Sequence, residues 1–137
     1  MATFKTTLDD NPLTITIIPS SDALLDGSNK VLITIYNEDE PKKWRKIQVE
    51  EPRSKKFTAD IVKIRLVKRP LIKIRTNFIV DNVSLKEQIA KVTTVAYQLD
   101  DTTNTENYVS IYDEGFDLGA SDDETFSVTQ RIEVSFI

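Results

Sequence analysis

The sequence predicts a mostly β single domain, an antiparallel β-sandwich or jelly-roll-like barrel with one short helix. Runs of alternating apolar and polar residues recur along the chain, as strands with one buried face require. Clusters of turn-forming residues separate these runs at intervals of roughly a dozen residues, a spacing that favours sandwiches and barrels. The third observation is size. With 137 residues, 39% hydrophobic and 29% charged, one core can form and folding removes roughly two-thirds of the unfolded surface from water. No repeat, linker or low-complexity stretch divides the chain, so residues 1–137 are read as one domain.

In chain order, the first strand candidate is short, at residues 3–8. Residues 13–18 and 31–36 are rich in Ile, Val and Thr, which suit a pleated, half-buried surface. Pro19-Ser20-Ser21-Asp22 closes the first of these, Asp26-Gly27-Ser28-Asn29 leads into the second, and Asn37-Glu38-Asp39-Glu40-Pro41 ends it. Residues 44–49 form another short candidate. From Val62 to Val80 the alternation keeps one phase, far beyond the usual ~5–6 residues of a strand. Pro70 cannot donate a ladder hydrogen bond, so two strands are expected, 57–68 and 71–81, bent or turned at Lys68-Arg69-Pro70, with the second at a sheet edge.

Helix is indicated once. Ser84-Leu85-Lys86-Glu87 has the capping-box pattern, and Leu85, Ile89, Val92, Ala96 and Leu99 fall at helical spacing. The β-branched run Val92-Thr93-Thr94-Val95 makes a poor helix interior, which predicts a helix over 84–91 and a strand over 92–99. Further strands are predicted at 107–112 and 125–137. In the last, Phe126, Val128, Ile132, Val134 and Phe136 share one face, interrupted only by Gln130. About nine strands result.

The chain has no cysteine and no histidine. Disulfides, thiolate chemistry, Ser-His-Asp triads and zinc sites of the usual kinds are thereby excluded, along with the commonest general base near neutral pH. Its three glycines, Gly27, Gly115 and Gly119, make no phosphate-cradling loop. A carboxylate pair can hydrolyse a glycoside without histidine, but a chain this short with one Trp has little material for a cleft, so no enzyme activity is expected. No cofactor is expected either. No apolar run nears the ~20 residues of a membrane-spanning helix, and Met1-Ala2-Thr3-Phe4-Lys5 lacks the start of a secretory signal.

Charge order is the most informative feature. Residues 1–40 carry two basic and seven acidic side chains, residues 41–75 thirteen basic and three acidic, and residues 76–137 three basic and twelve acidic. Three accounts compete. A basic strand can sit between acidic neighbours and pair across the sheet, for a few tenths of a kcal/mol per pair. It can instead face acidic surfaces of other subunits and fix their register. Or the basic block, with Trp44, Phe57 and Phe78 as stacking rings, can take nucleic acid, against which stands the acidic net charge of −4. The residues expected to carry the interaction are Lys63, Arg65, Arg69, Lys73 and Arg75.

Two acidic loops complete the candidates. Residues 113–124 place Asp113, Asp117 and Glu124 at the first, fifth and twelfth positions of a calcium loop. Gly115 stands where a third ligand belongs and Gly119 is displaced by one, so the segment reads as a solvated loop with at most weak calcium affinity. Asp100-Asp101-Thr102-Thr103-Asn104-Thr105-Glu106 reads as a second solvated loop. Asn82-Val83-Ser84 fits the glycosylation sequon incidentally, and Trp44 is read as a core anchor.

These readings predict a non-enzymatic structural subunit that packs with copies of itself or other structural subunits through complementary charged faces. Neither nucleic acid, membrane nor small-molecule substrate is expected as a partner. In general character, without a motif to carry it, the chain resembles the small β proteins that tailed phages use as capsid-decorating, neck or tail components. That resemblance implies a place in a virion, or in the host cytoplasm during assembly. The alternative is a monomeric β-sandwich binding module for a carbohydrate or peptide, with specificity in its loops.

Overall fold

The computed structural model describes residues 2–6, 13–21, 23–25, 31–37, 46–50, 56–59, 70–111 and 123–136. Their strands are β1 (Ala2–Thr6), β2 (Leu13–Ser20), β3 (Leu24–Leu25), β4 (Val31–Asn37), β5 (Lys46–Glu50), β6 (Lys56–Ala59), β7 (Pro70–Ile79), β8 (Thr94–Asp100), β9 (Thr105–Ser110) and β10 (Thr125–Phe136). A 3₁₀ turn, Val83–Leu85, leads into α1 (Lys86–Val92).

The strands form two sheets. The larger has the order β1-β10-β7-β4-β5, with β3 also paired to β7; the smaller has the order β6-β2-β8-β9. Every pairing is antiparallel except β1 with β10. The arrangement is a sandwich and not a closed barrel.

Period-2 alternation builds the core. Leu13, Ile15 and Ile17 of β2 and Val95, Tyr97 and Leu99 of β8 meet Ile72, Ile74 and Phe78 of β7, Phe126, Val128, Ile132 and Val134 of β10, and Phe4 of β1. Full burial of such a side chain contributes about 1.5–3 kcal/mol. Phe78 stacks on Phe126 with ring centroids 5.1 Å apart and planes 15° from parallel. One polar group crosses this core. The Tyr97 phenol donates to the Val128 carbonyl at 3.3 Å, which leaves the buried Thr76 hydroxyl, 2.8 Å away, to donate to the phenol. Tyr97 thus ties the smaller sheet to two strands of the larger.

Two details differ from the sequence reading. Strand β7 is interior, hydrogen-bonded to β10 on one side and to β3 and β4 on the other. Pro70 does not force it to an edge because it is the first residue of β7 and pairs with Asn37, the last of β4. In place of a capping box at Ser84, the capping side chain is Asn82, which caps the 3₁₀ turn: its Oδ1 accepts from Ser84 N at 3.0 Å and from Ser84 Oγ at 2.7 Å, while α1 itself begins after Leu85 with no side-chain cap. Chain reversal then needs only Thr93, whose backbone is extended (φ −83°, ψ 132°) and whose Oγ1 donates to the Ile89 carbonyl at 2.8 Å. No helix among the described residues is long and apolar enough to cross a membrane.

Candidate functional site

Of the five basic residues singled out, Lys73 and Arg75 are placed; Lys63, Arg65 and Arg69 lie outside the described residues. Ile72, Ile74 and Thr76 face the core, so Lys73 and Arg75 project from the opposite face of β7, where both are half-buried. Lys73 stands opposite Arg131 of β10 and Thr34 of β4, and Arg75 opposite Thr129 and Leu32. None of these four is acidic. Glu133, the only acidic residue of β10, stands opposite Leu71. Glu133 is therefore a diagonal and not a direct cross-strand neighbour of Lys73.

Arg75 is held by the sheet itself. Its Nε donates to Ser127 Oγ at 3.0 Å, and that hydroxyl donates to Asn77 Oδ1 at 2.8 Å. On the outer face of β1, β10 and β7 the charged residues are Lys5, Lys73, Arg75 and Arg131 against Glu133. That face is basic. It is also partly covered, since Leu71 and Ser127 on it are only 2% and 5% exposed. Of the rest of the basic block, Lys46 belongs to β5, which ends the larger sheet, and Lys56 to β6, which ends the smaller one; the others lie outside the described residues. Among the rings proposed for base stacking, Phe78 is in the core, Trp44 lies outside the described residues, and for Phe57 only its strand is described.

The outer face of the smaller sheet differs. Between Thr14 and Ser20, across β8 and along β9 it presents mainly Thr, Ser, Asn and Gln, and its one charged side chain on these three strands is Asp100. A single cross-strand row, Ile18 opposite Ala96 opposite Val109, is apolar. Ile18 and Val109 are 53% and 68% exposed.

At the rim, the β8–β9 connection does what a solvated loop would not. Thr102 and Thr103 are exposed, but Asp101 is only 1% exposed. Its Oδ2 accepts from Thr6 Oγ1 of β1 at 2.6 Å; its Oδ1 accepts from Thr103 N (3.0 Å), Thr103 Oγ1 (2.9 Å) and Asn104 N (2.6 Å). Burial pushes the Asp101 carboxyl up, but these bonds outweigh it and hold its pKa below the ordinary value. Asn104 Nδ2 donates to the Lys5 carbonyl and Tyr108 Oη to the Thr3 carbonyl, both at 3.0 Å. Strand β1 of one sheet is thereby laced to the β8–β9 hairpin of the other. Burial, and then the nearby Glu106 carboxylate, raise the Tyr108 pKa. Sequence reasoning passed over Asp101; the available signal was its place among Thr and Asn donors in a tight connection.

Of the calcium-loop candidates, Asp113 and Asp117 lie outside the described residues, and Glu124 is exposed just before β10, its carbonyl accepting from Val80 N at 2.8 Å. Asp123 beside it accepts from Thr125 Oγ1 and N, and these bonds, with smaller help from Lys86, lower its pKa. No metal-holding group of three or more acidic residues occurs among the described residues. A cavity of about 190 Å³ lies between β3, the end of β7 and the helix, lined by Ala23, Ile79, Val80, Asp81, Asn82, Leu85 and Ile89. It is smaller than the ~300–1,000 Å³ of ligand pockets. Comparison of the chain with protein-family models, curated proteins and solved structures finds no match.

Proposed function

We propose that the chain is a non-enzymatic assembly subunit that packs with copies of itself or with other structural subunits into a larger symmetric complex. The kind of complex is a virion, in which it serves as a capsid-decorating, neck or tail component. One observation carries this reading: the sandwich has two chemically different outer faces. The outer face of β1, β10 and β7 is basic, with Arg131 directly opposite Lys73, while the outer face of β2, β8 and β9 is almost uncharged. A basic face beside a chain otherwise rich in acidic residues fits contacts in which charge selects partner and register.

Native mass at low and moderate salt, measured on the wild type and on Lys73→Glu/Arg75→Glu, tests the proposal. The expected result is an assembled wild type and a variant of lower mass, its melting midpoint reduced by no more than a few degrees, because half-exposed charges contribute only about 1 kcal/mol or less each. A variant that keeps its mass but melts early supports internal pairing instead. Wild-type protein that retains nucleic acid at low salt and loses it steeply as salt rises supports the nucleic-acid account. A wild type that stays monomeric at all concentrations overturns the assembly reading and leaves the monomeric binding module.

A further inference from the structure

We propose that Asp101 is an acid-sensitive latch: on taking up a proton it frees β1 from the rim while the rest of the sandwich stays folded. The inference goes beyond the assembly reading and does not depend on it. Strand β1 lies at the end of the larger sheet and pairs there with β10. Of the sixteen side chains in the described core it supplies one, Phe4, with Ala2 partly buried against the cluster. Three hydrogen bonds from the β8–β9 hairpin of the opposite sheet add to this hold: Thr6 Oγ1 to Asp101 Oδ2, Asn104 Nδ2 to the Lys5 carbonyl and Tyr108 Oη to the Thr3 carbonyl. A segment that buries so little opens at a lower free energy than the whole domain.

One carboxylate governs two of these three bonds. Asp101 Oδ2 takes the Thr6 hydroxyl, while Oδ1 takes Thr103 N, Thr103 Oγ1 and Asn104 N and so fixes the turn that aims Asn104 at Lys5. A proton finds no vacant place on the group. Oδ1 already faces three donors. On Oδ2 the proton at best reverses the Thr6 bond, which replaces a charge-assisted contact by a neutral one of roughly half its strength, and the Thr6 hydrogen must then find another acceptor.

Among the described residues, the charged and titratable groups on the elements around the latch are Lys5 on β1, Asp100, Glu106 and Tyr108 on the hairpin, and Glu133 on β10. Lys5 and Glu106 are exposed. Asp100 Oδ1 is engaged by Thr102 N at 2.8 Å, the Glu106 carboxylate acts on Tyr108, and Glu133 stands opposite Thr3. Asp101 itself is raised by burial and lowered, to a greater total, by its bonds to Thr6, Asn104 and Thr103. Its folded pKa is therefore the lower one, and once β1 has left it returns towards about 3.9. The closed latch gains its full stability above that pH and loses it as pH falls through the folded pKa.

Amide hydrogen exchange followed by NMR, each rate divided by its intrinsic value, reads the opening strand by strand. In the wild type the protection of β1 should be level from pH 7 to pH 5 and fall below pH 4, by at most about tenfold per pH unit, while β7 keeps its protection and return to pH 7 restores that of β1. Asp101→Asn keeps an acceptor for the turn but cannot titrate, so β1 should be less protected at pH 7 and level with pH. Thr6→Val leaves the carboxylate and its turn in place and should also lower β1 protection at pH 7. Simultaneous loss from β1 and β7 would mean global acid unfolding and overturn the latch. So would β1 protection unchanged down to pH 3, a wild-type pH profile in Asp101→Asn, or full β1 protection in Thr6→Val.

Discussion

Replacing Asp101 by Ala should destabilise the domain by about 3 kcal/mol, mainly by releasing β1 from the opposite sheet. Four hydrogen bonds end on this carboxylate. Bonds to a charged group contribute about 1.5–3 kcal/mol where water cannot replace them. That condition holds for Thr6 Oγ1, whose residue is buried, but not for Thr103, which is exposed at the loop tip. The Thr6 bond therefore supplies most of the loss, and the three loop donors, which water can re-satisfy, supply the remainder. Water is only one side chain away from the rim, so the lower half of the range applies. For a domain of this size, 3 kcal/mol corresponds to a fall of about 10 °C in the melting midpoint.

The same carboxylate carries a pH signature. Its folded pKa lies below its unfolded value, which is about 3.9 for Asp, so its stabilisation is present above that pH and is lost as pH falls through the folded pKa. The gap between wild-type and Asp101→Ala melting midpoints should be full at pH 5 and above, and should narrow below pH 4. Asp123, whose pKa is also lowered, is present in both proteins and cancels from the gap. Melts of the two proteins within 1 °C of each other at pH 7, or a gap that stays constant down to pH 3, would refute the reasoning.

Tyr97→Phe should cost about 1–2 kcal/mol, because the Thr76 hydroxyl loses its acceptor inside the core; the double change with Thr76→Val should recover part of it, and an additive double mutant would show that the two groups do not act together. Thr102 is the one non-glycine residue with positive φ among the described residues, at 76°, a conformation that strains a β-branched side chain. Thr102→Asn should raise the midpoint by a few degrees, and a lower midpoint would show that the Thr side chain serves the turn. Deleting residues 125–137 removes β10 from between β1 and β7, with four buried side chains, Phe126, Val128, Ile132 and Val134. At about 1.5–3 kcal/mol each their loss rivals the ~5–15 kcal/mol net stability of a domain, so a truncated chain that still melts cooperatively near the full-length midpoint would contradict the fold described.

What the sequence made legible was the local part of this structure. Alternation located β2, β7 and β10 because each buries one face, and a period of two is visible without knowing what lies across the core. The β-branched run after Lys91 ended the helix within a residue or two of its observed end at Val92 for an equally local reason. Pairing was less legible. Pro70 suggested an edge because a missing amide is costly in a ladder, but the cost vanishes at a strand's first residue, and which residue comes first depends on where β4 ends. The candidate site divides along the same line. The outward phase of Lys73 and Arg75 follows from alternation; their β10 partners, Arg131 and Thr129, lie more than fifty positions away in the chain and are set by the β7–β10 register. Asp101 was the least legible of all. Seven polar residues in a row, from Asp100 to Glu106, resemble a solvated turn until β1 arrives from ninety-five positions earlier, and only that distant strand turns one of two adjacent aspartates into the clasp between the sheets.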